Sequence, residues 1–471
     1  MPGSAQTPAP AGVAIPRKTA ARPLRPLTRL RLALRAAGIE QVCRLLGCAL
    51  TLAGAHAIGT IGDRFAPPGS LPSRRQDRNA RALRRVVDTL GALKGIFVKA
   101  GQFAAVRHDL LPGPVTEALA GLRDRVPPLP FDRLRETLEI ELGAPLTTLF
   151  SEFDRTPLGA ASLAQVHRAR LPSGQTVAVK IQYPWLRAAL PADLALVRRL
   201  LRLFAKRVRG VDVERILDEF GAGLVTELDF EHEAGVAEEI AANLAGDPRI
   251  VVPAPVRTHC SRRVLTMSYH PAVPVSDARG LAERGVDPRA VLETIARAYA
   301  KQVFADGLFH ADPHPGNLFV IDEPSADRAP RVLFIDFGLS RRLTPELRRE
   351  LRQGLFALVQ RDVTGFIEGM ERMGMIAPDS RPGVSAAVSG MFERIADAGG
   401  ALGTSGDRML ALKTEAKQLL QQTPGLQLPA DLLLYAKTVS YVFALGAAIA
   451  PDVDVMKLSL PYLLQFLAKA D

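Results

Sequence analysis

The sequence predicts an α+β fold of two lobes: a small N-lobe built on a mixed sheet, then a larger helical C-lobe, with a helical extension in front. Residues 150–181 contain two β-rich apolar runs separated by a short turn, while the chain on both sides repeats its apolar residues every three to four positions. Beyond Asp287 the pattern is helical and is broken only by two short apolar runs. No internal repeat of the kind that marks a solenoid is present.

The elements follow in order. Residues 1–39 carry Arg17, Lys18, Arg22, Arg25, Arg29, Arg31 and Arg35 and no Asp or Glu. This Pro- and Ala-rich start buries little apolar surface, so residues 1–40 are expected to form a disordered arm. Residues 45–61 are apolar, Ala- and Gly-rich, and carry His56. They are short and weakly hydrophobic for a spanning helix. A core helix, an interfacial membrane helix and part of a basic targeting leader all stay open, and residues 41–80 are assigned as apolar helix and linker. Leu83, Val86, Val87, Leu90 and Leu93 recur at helical spacing, which makes 81–130 a helical extension. Pro127, Pro128 and Pro130 break it before a helix over 131–142.

Runs at 165–171 and 176–181 flank the turn Pro172-Ser-Gly-Gln175 and read as a hairpin. Helices are expected from Pro191 to about residue 244, and strands over 251–256 and 263–267. The N-lobe is placed at 131–270 and the C-lobe at 271–471, the latter with short strands at 318–321 and 332–335. Residues 432–449 contain Lys437 and precede Pro451-Asp-Val-Asp454, so they read as a buried helix and not a membrane span.

Composition narrows the function. With 47% hydrophobic and 23% charged residues the chain is globular. A formal net charge of +11 favours anionic partners such as nucleotides or anionic lipid surfaces. Three cysteines, Cys43, Cys48 and Cys260, without metal-ligand spacing argue against a disulfide framework or a zinc site. One Trp and six Tyr, with no recognisable module, argue against nucleic-acid binding.

Three distant segments form one chemical scheme. Val177-Ala-Val-Lys180 ends a strand with a lysine, an ordinary solvated charge when alone but a phosphate ligand in kinases. Phe309-His-Ala-Asp312-Pro-His-Pro-Gly-Asn317 sets Asp312 and Asn317 five apart, the spacing of a kinase catalytic loop. There a carboxylate orients or deprotonates the attacking hydroxyl, and an amide oxygen helps hold a metal ion. His310 is expected to shape this loop by packing or hydrogen bonding and not to ligate a metal. Phe334-Ile-Asp336-Phe-Gly338 closes a strand with a carboxylate suited to magnesium. The acidic run Glu227-Leu-Asp-Phe-Glu231-His-Glu233 supplies candidates for the lysine's partner, and on one helix its glutamates could not all face one way.

In combination these segments resemble the UbiB/AarF family of atypical kinase-like proteins, over about residues 81–441. The resemblance rests further on Lys99-Ala-Gly101-Gln102, similar to the family's Lys-x-Gly-Gln signature. It rests also on Pro157-Leu-Gly159-Ala160-Ala161-Ser162, similar to its alanine-rich loop. It implies a two-lobed protein-kinase-like fold that binds ATP or ADP with Mg2+. Ala160, Ala161, Ser162 and Gly159 would lie at the nucleotide, Lys180 and Asp312 would be catalytic, and Asn317 and Asp336 would hold the metal. Glu227 would pair with Lys180, and Glu233 with the regulatory Lys99, Gly101 and Gln102 segment that covers the pocket. Gly159, where the family has alanine, and Ser268, where it is often acidic, depart from the pattern. Only six residues separate Gly338 from Pro345, little chain for docking a protein substrate.

The implied function is ATP hydrolysis or phosphorylation of a small or lipid-like molecule. It would support isoprenoid-quinone (ubiquinone) biosynthesis or lipid homeostasis, with an anionic membrane surface and a lipid or quinone-precursor ligand as partners. The alternatives are a non-catalytic, nucleotide-gated scaffold and a small-molecule kinase of the antibiotic-phosphorylating type. A bacterial chain would be cytoplasmic and peripheral to the inner membrane; organelle targeting stays open.

Overall fold

The computed structural model describes residues 39–106, 113–122, 127–205, 213–321, 329–397, 419, 423 and 425–468. The basic arm up to residue 38 lies outside the described residues. Helix α1 (Ile39–Asp63) packs on α2 (Leu71–Leu93), and Asp63 accepts hydrogen bonds from Arg78 at 3.0 Å and Arg75 at 3.4 Å. Gln41 ties its start to Asp193 at 2.9 Å. None of the most apolar 18-residue stretch of α1 is buried, so the core-helix reading does not hold: most of its apolar side chains are exposed, and Leu45 packs only partly on the N-lobe core.

Helix α3 (Ile96–Val106) carries Lys99, Gly101 and Gln102. It follows two residues of positive φ, Lys94 (φ 58°) and Gly95 (φ 59°), which end α2 and redirect the chain. Two cores grip it. Ile96 and Phe97 join the N-lobe core with Leu134, Val177 and Val179, while Val98 packs with Val87, Leu119 and Leu122. The extension is thus continuous with the small lobe.

Helix α4 (Gly113–Ala120), α5 (Asp132–Leu142) and the single turn α6 (Leu146–Leu149) lead into an antiparallel sheet of order β1-β2-β3-β5. Its strands are β1 (Glu152–Ala160), β2 (Ala164–Arg170), β3 (Thr176–Gln182) and β5 (Val264–Ser268). The hairpin β2–β3 falls where expected, closed through Gly174 (φ 89°). Helix α7 (Leu186–Ala205), α8 (Val213–Glu227) and α9 (Phe230–Leu244) separate β3 from β4 (Ile250–Val251). The strand expected over 251–256 is cut to this pair, because Pro253 and Pro255 lack the N–H a ladder needs. Moreover, β4 belongs to a second sheet of order β4-β9-β8-β6, with β6 (Ala272–Pro274), β8 (Leu318–Ile321) and β9 (Val332–Phe334).

The helical lobe is centred on α11 (Pro288–Ala300), which follows the short α10 (Ala278–Glu283) and buries Val291, Leu292 and Ile295. A π-turn over Lys301–Asp306 and Gly307 (φ 72°) deliver the chain to β7 (Leu308–Phe309), which pairs with β10 (Arg341–Arg342). Helices α12 (Pro345–Gln360), α13 (Val363–Arg372), α14 (Arg381–Asp397), α15 (Ala430–Ile449) and α16 (Val455–Ala468) complete it. Helix α15 is not wholly buried: Val442 and Leu445 pack in the α11 core, while its other faces are half-buried or exposed.

Candidate active site

Strand β3 sits between β2 and β5, with Lys180 opposite Val166 and Leu265. From this central position its ammonium donates to Glu233 Oε1 at 2.7 Å and Oε2 at 3.0 Å, and to Asp336 Oδ1 at 2.9 Å. The nitrogen also lies 5.0 Å from the centroid of the Phe230 ring. Burial alone would lower the lysine's pKa, but Asp336 and Glu233 raise it above the usual range, so Lys180 is a fixed cation. Partial withdrawal from water inside the cleft would raise the Asp336 carboxyl, yet Lys180 holds it down to about 2. At Glu233 burial prevails and raises the carboxyl against the pull of Lys180.

This pairing corrects the sequence expectation. Glu233 pairs with Lys180, and Glu227 pairs with Lys99. The acidic run is not one helix. Helix α8 ends at Glu227, and Asp229 caps a new helix by accepting from the backbone N–H groups of Glu231 (3.1 Å) and His232 (3.3 Å). Glu233 then lies in the first turn of α9, which packs on β5, whereas Glu227 meets the neighbouring helix α3.

The loop after β7 is held by His310. Its Nε2 lies 3.0 Å from the Ile335 carbonyl and 2.9 Å from that of Asp336, which can only accept, so Nε2 is the donor. Nδ1 accepts from the Tyr299 hydroxyl at 2.9 Å, and burial keeps the ring neutral by lowering its pKa. His310 therefore shapes the loop, as expected, and fixes the backbone of Asp336. That residue adopts φ 63°, a left-handed conformation that a short polar side chain tolerates. Asn317 Nδ2 donates to the Asp312 carbonyl at 3.1 Å and to Asp312 Oδ2 at 3.2 Å. The five-residue spacing thus folds Asn317 back onto Asp312.

The alanine-rich turn forms the roof. Ala161 N–H bonds the Ala164 carbonyl at 2.8 Å, Gly95 N–H the Ser162 carbonyl at 2.8 Å, and the Tyr183 hydroxyl the Ala161 carbonyl at 2.9 Å. Lys94 places its ammonium 4.7 Å from the Tyr183 ring centroid. The residues just before α3 therefore brace the turn directly.

Ala160, Ala161, Ser162, Lys180, Glu227, Glu233, Asp312, Asn317, Asp336, Lys99 and Gln102 all line one cleft of about 260 Å³. Gly159 and Gly101 do not line it. Gly159 is exposed within β1, opposite Val166, without positive φ and with open space where a Cβ would stand. Gly101 serves packing: a Cβ there would overlap the Leu122 side chain. Lys437, which in the sequence argued only against a membrane span, does not line the cleft but pairs from α15 with Asp312 Oδ1 at 3.0 Å. Its only sequence signal was a cation inside an apolar helix, a residue type seldom buried unpaired.

The donors fit a magnesium nucleotide. Asp336 is 44% exposed despite its lysine bond and lines the cleft with Asn317, so a carboxylate and an amide oxygen, hard donors of the kind magnesium prefers, are available there. The ABC1 atypical kinase-like domain matches residues 121–370. Proteins named "Probable protein kinase UbiB" in Marinobacter nauticus and Aeromonas hydrophila are 32% and 34% identical over 412 and 401 residues. Those alignments cover 86% and 83% of this chain, and 73% and 71% of the relatives. The Mycobacterium tuberculosis protein Rv3197, solved in complex with erythromycin, superposes with a TM-score of 0.52 at 25% identity, covering 86% of this chain and 100% of that one. With the strand lysine, the Asp312–Asn317 loop and the Asp336 turn gathered in one cleft, these likenesses establish that the chain belongs to the UbiB/AarF family, with an ABC1 atypical kinase-like domain and an α+β kinase-like fold.

Proposed function

We propose that this protein is a magnesium-dependent phosphotransferase or ATPase acting on ATP at a membrane, in isoprenoid-quinone (ubiquinone) biosynthesis or lipid homeostasis. The observation that carries the chemistry is the Lys180 ammonium bridging Glu233 and Asp336, with Asp312 and Asn317 facing the same cleft. Lys180 and the Ala160–Ser162 backbone would hold the phosphates, and Asp336 and Asn317 the ion. Bound magnesium would offset phosphate charge. Asp312 would take the proton of an attacking hydroxyl or water as that oxygen bonds the γ-phosphorus and the bridging P–O bond breaks, releasing ADP.

A small or lipid-like acceptor, or water, is favoured over a protein. Residues 339–344 are all that separate Gly338 from α12, and Arg341–Arg342 are engaged in pairing with β7. The quinone assignment follows the relatives that carry the UbiB name. Membrane contact is supported by Leu46, Leu50, Ile58 and Phe65, exposed on and just after α1, beside a cleft lined by Arg44, Arg81, Arg84 and Arg85. Magnesium-dependent ATP turnover, measured with and without anionic liposomes and phenolic quinone-precursor mimics, tests the reading. MgADP binding with no turnover under any of these conditions would instead favour a nucleotide-gated scaffold.

A further inference from the structure

The Asp312 carboxylate is gripped from two sides. Its own loop holds one oxygen, through Asn317 Nδ2 at 3.2 Å from Oδ2. The other oxygen is held from α15, 125 residues further along the chain, by Lys437 Nζ at 3.0 Å from Oδ1. The two side chains are 9% and 13% exposed, Lys437 and Asp312 respectively, so the pair is mostly withdrawn from water. One helical turn on, Tyr441 meets the His314 ring edge-on at 6.4 Å, and its own ring centroid lies 5.6 Å from Lys437 Nζ. Helix α15 is in turn seated by Thr438, Val442 and Leu445, all buried. It therefore contacts the 312–317 loop twice, at Asp312 and at His314.

A helix can be pinned to a lobe by apolar packing alone, and a buried ion pair often contributes little net stability against an apolar replacement. Here the ammonium sits on the carboxylate that the chemistry needs. A phosphate entering the cleft brings negative charge close to Asp312, and an adjacent cation offsets that repulsion without reorganising. We propose that Lys437 is a positioning residue of the phosphoryl-transfer site: it fixes the plane of the Asp312 carboxylate opposite the Asn317 grip and balances its charge beside the incoming phosphate. This deepens the phosphotransferase reading and rests on it.

The test uses the full chain as wild type, Lys437→Met, Lys437→Arg, Asp312→Asn and the Asp312→Asn/Lys437→Met double variant. Three quantities are read: MgADP affinity, steady-state MgATP turnover, and amide hydrogen exchange of the 310–318 peptide. Lys437→Met should keep MgADP affinity within about threefold while kcat falls about 100-fold, the scale of a misplaced reacting group. Lys437→Arg, which retains the charge, should recover about a tenth of the wild-type rate or more. The double variant should be no slower than Asp312→Asn alone, because Lys437 acts through Asp312. Exchange in the 310–318 peptide should rise several-fold in Lys437→Met, with other peptides unchanged.

Unchanged exchange in that peptide overturns the proposal whatever the turnover. So does a wild-type kcat in Lys437→Met, a parallel loss of MgADP affinity, or multiplicative losses in the double variant. If the wild type binds MgADP but turns over no ATP, the phosphotransferase reading fails instead, and the exchange result alone then decides whether Lys437 holds the loop.

Discussion

Exchanging the two glutamates one at a time should give opposite functional results. In Glu233→Gln, Lys180 loses a carboxylate that is 3% exposed and accepts its proton twice, at 2.7 and 3.0 Å. Breaking a buried pair from one side can cost about 3–5 kcal/mol. Two features soften this: Asp336 still accepts from Lys180 at 2.9 Å, and the glutamine amide oxygen can still accept one bond. A loss of about 2 kcal/mol is therefore expected, in line with removing one charge-assisted hydrogen bond. Lys180 is also no longer anchored to α9, so MgADP affinity should fall by about tenfold or more. Glu227→Gln removes the carboxylate partner of Lys99 from a pair that is also mostly withdrawn from water, and the amide oxygen can still accept one bond, so a stability loss of about 2 kcal/mol is expected here too. It should loosen α3 over the cleft and leave MgADP binding equal or tighter. Thermal unfolding with and without MgADP measures both. If Glu227→Gln abolishes the nucleotide-induced shift while Glu233→Gln preserves it, the pairing described here is wrong.

Three further outcomes follow from the same geometry. Asp336→Asn should eliminate magnesium-dependent stabilisation by ATP or ADP while the apo protein still unfolds cooperatively, since the amide cannot replace the anionic oxygen the ion requires; a persisting shift would exclude Asp336 as the ligand. Gly159→Ala should change stability by less than about 0.5 kcal/mol and leave ATP and ADP affinities alike, because the position is open, extended and outside the cleft. A selective loss of ATP affinity would instead return Gly159 to the phosphate loop. Deleting residues 1–61 should release the protein from anionic liposomes at low salt, by removing the basic arm and most of the exposed helix α1. Equal co-sedimentation of both forms would place the membrane contact elsewhere.

Much of the fold and the chemistry was legible from local pattern alone. The β2–β3 hairpin, the short strands β8 and β9, and the helix starting at Pro345 lie where alternation, turn residues and a proline at a helix start predict them. Lys180, Asp312, Asn317 and Asp336 were recognisable because phosphoryl transfer needs those side-chain types at those spacings, and spacing within a loop survives folding. Misplacements arose where a local cue was outweighed. Two prolines shortened the strand begun at Ile250, and an apolar pattern kept a core helix among three open readings of α1 although the lobe already had Ile96, Phe97 and Leu134 to fill it.

Other features belonged to tertiary structure. Which glutamate meets Lys180 depends on how far a chain that breaks at Asp229 turns before α9 begins, and on which helix then lies against β5. The role of Gly101 depends on Leu122, and the brace on the alanine turn depends on Lys94 and Tyr183 meeting across two elements. The grip of Lys437 on Asp312 joins residues 125 positions apart. The sequence determined which groups this protein has for its chemistry, since side-chain type and short spacing are properties of the chain itself. Packing decided which of those groups face one another, because an ion pair needs its atoms within a few ångströms, and only the relative placement of whole helices and strands sets that distance.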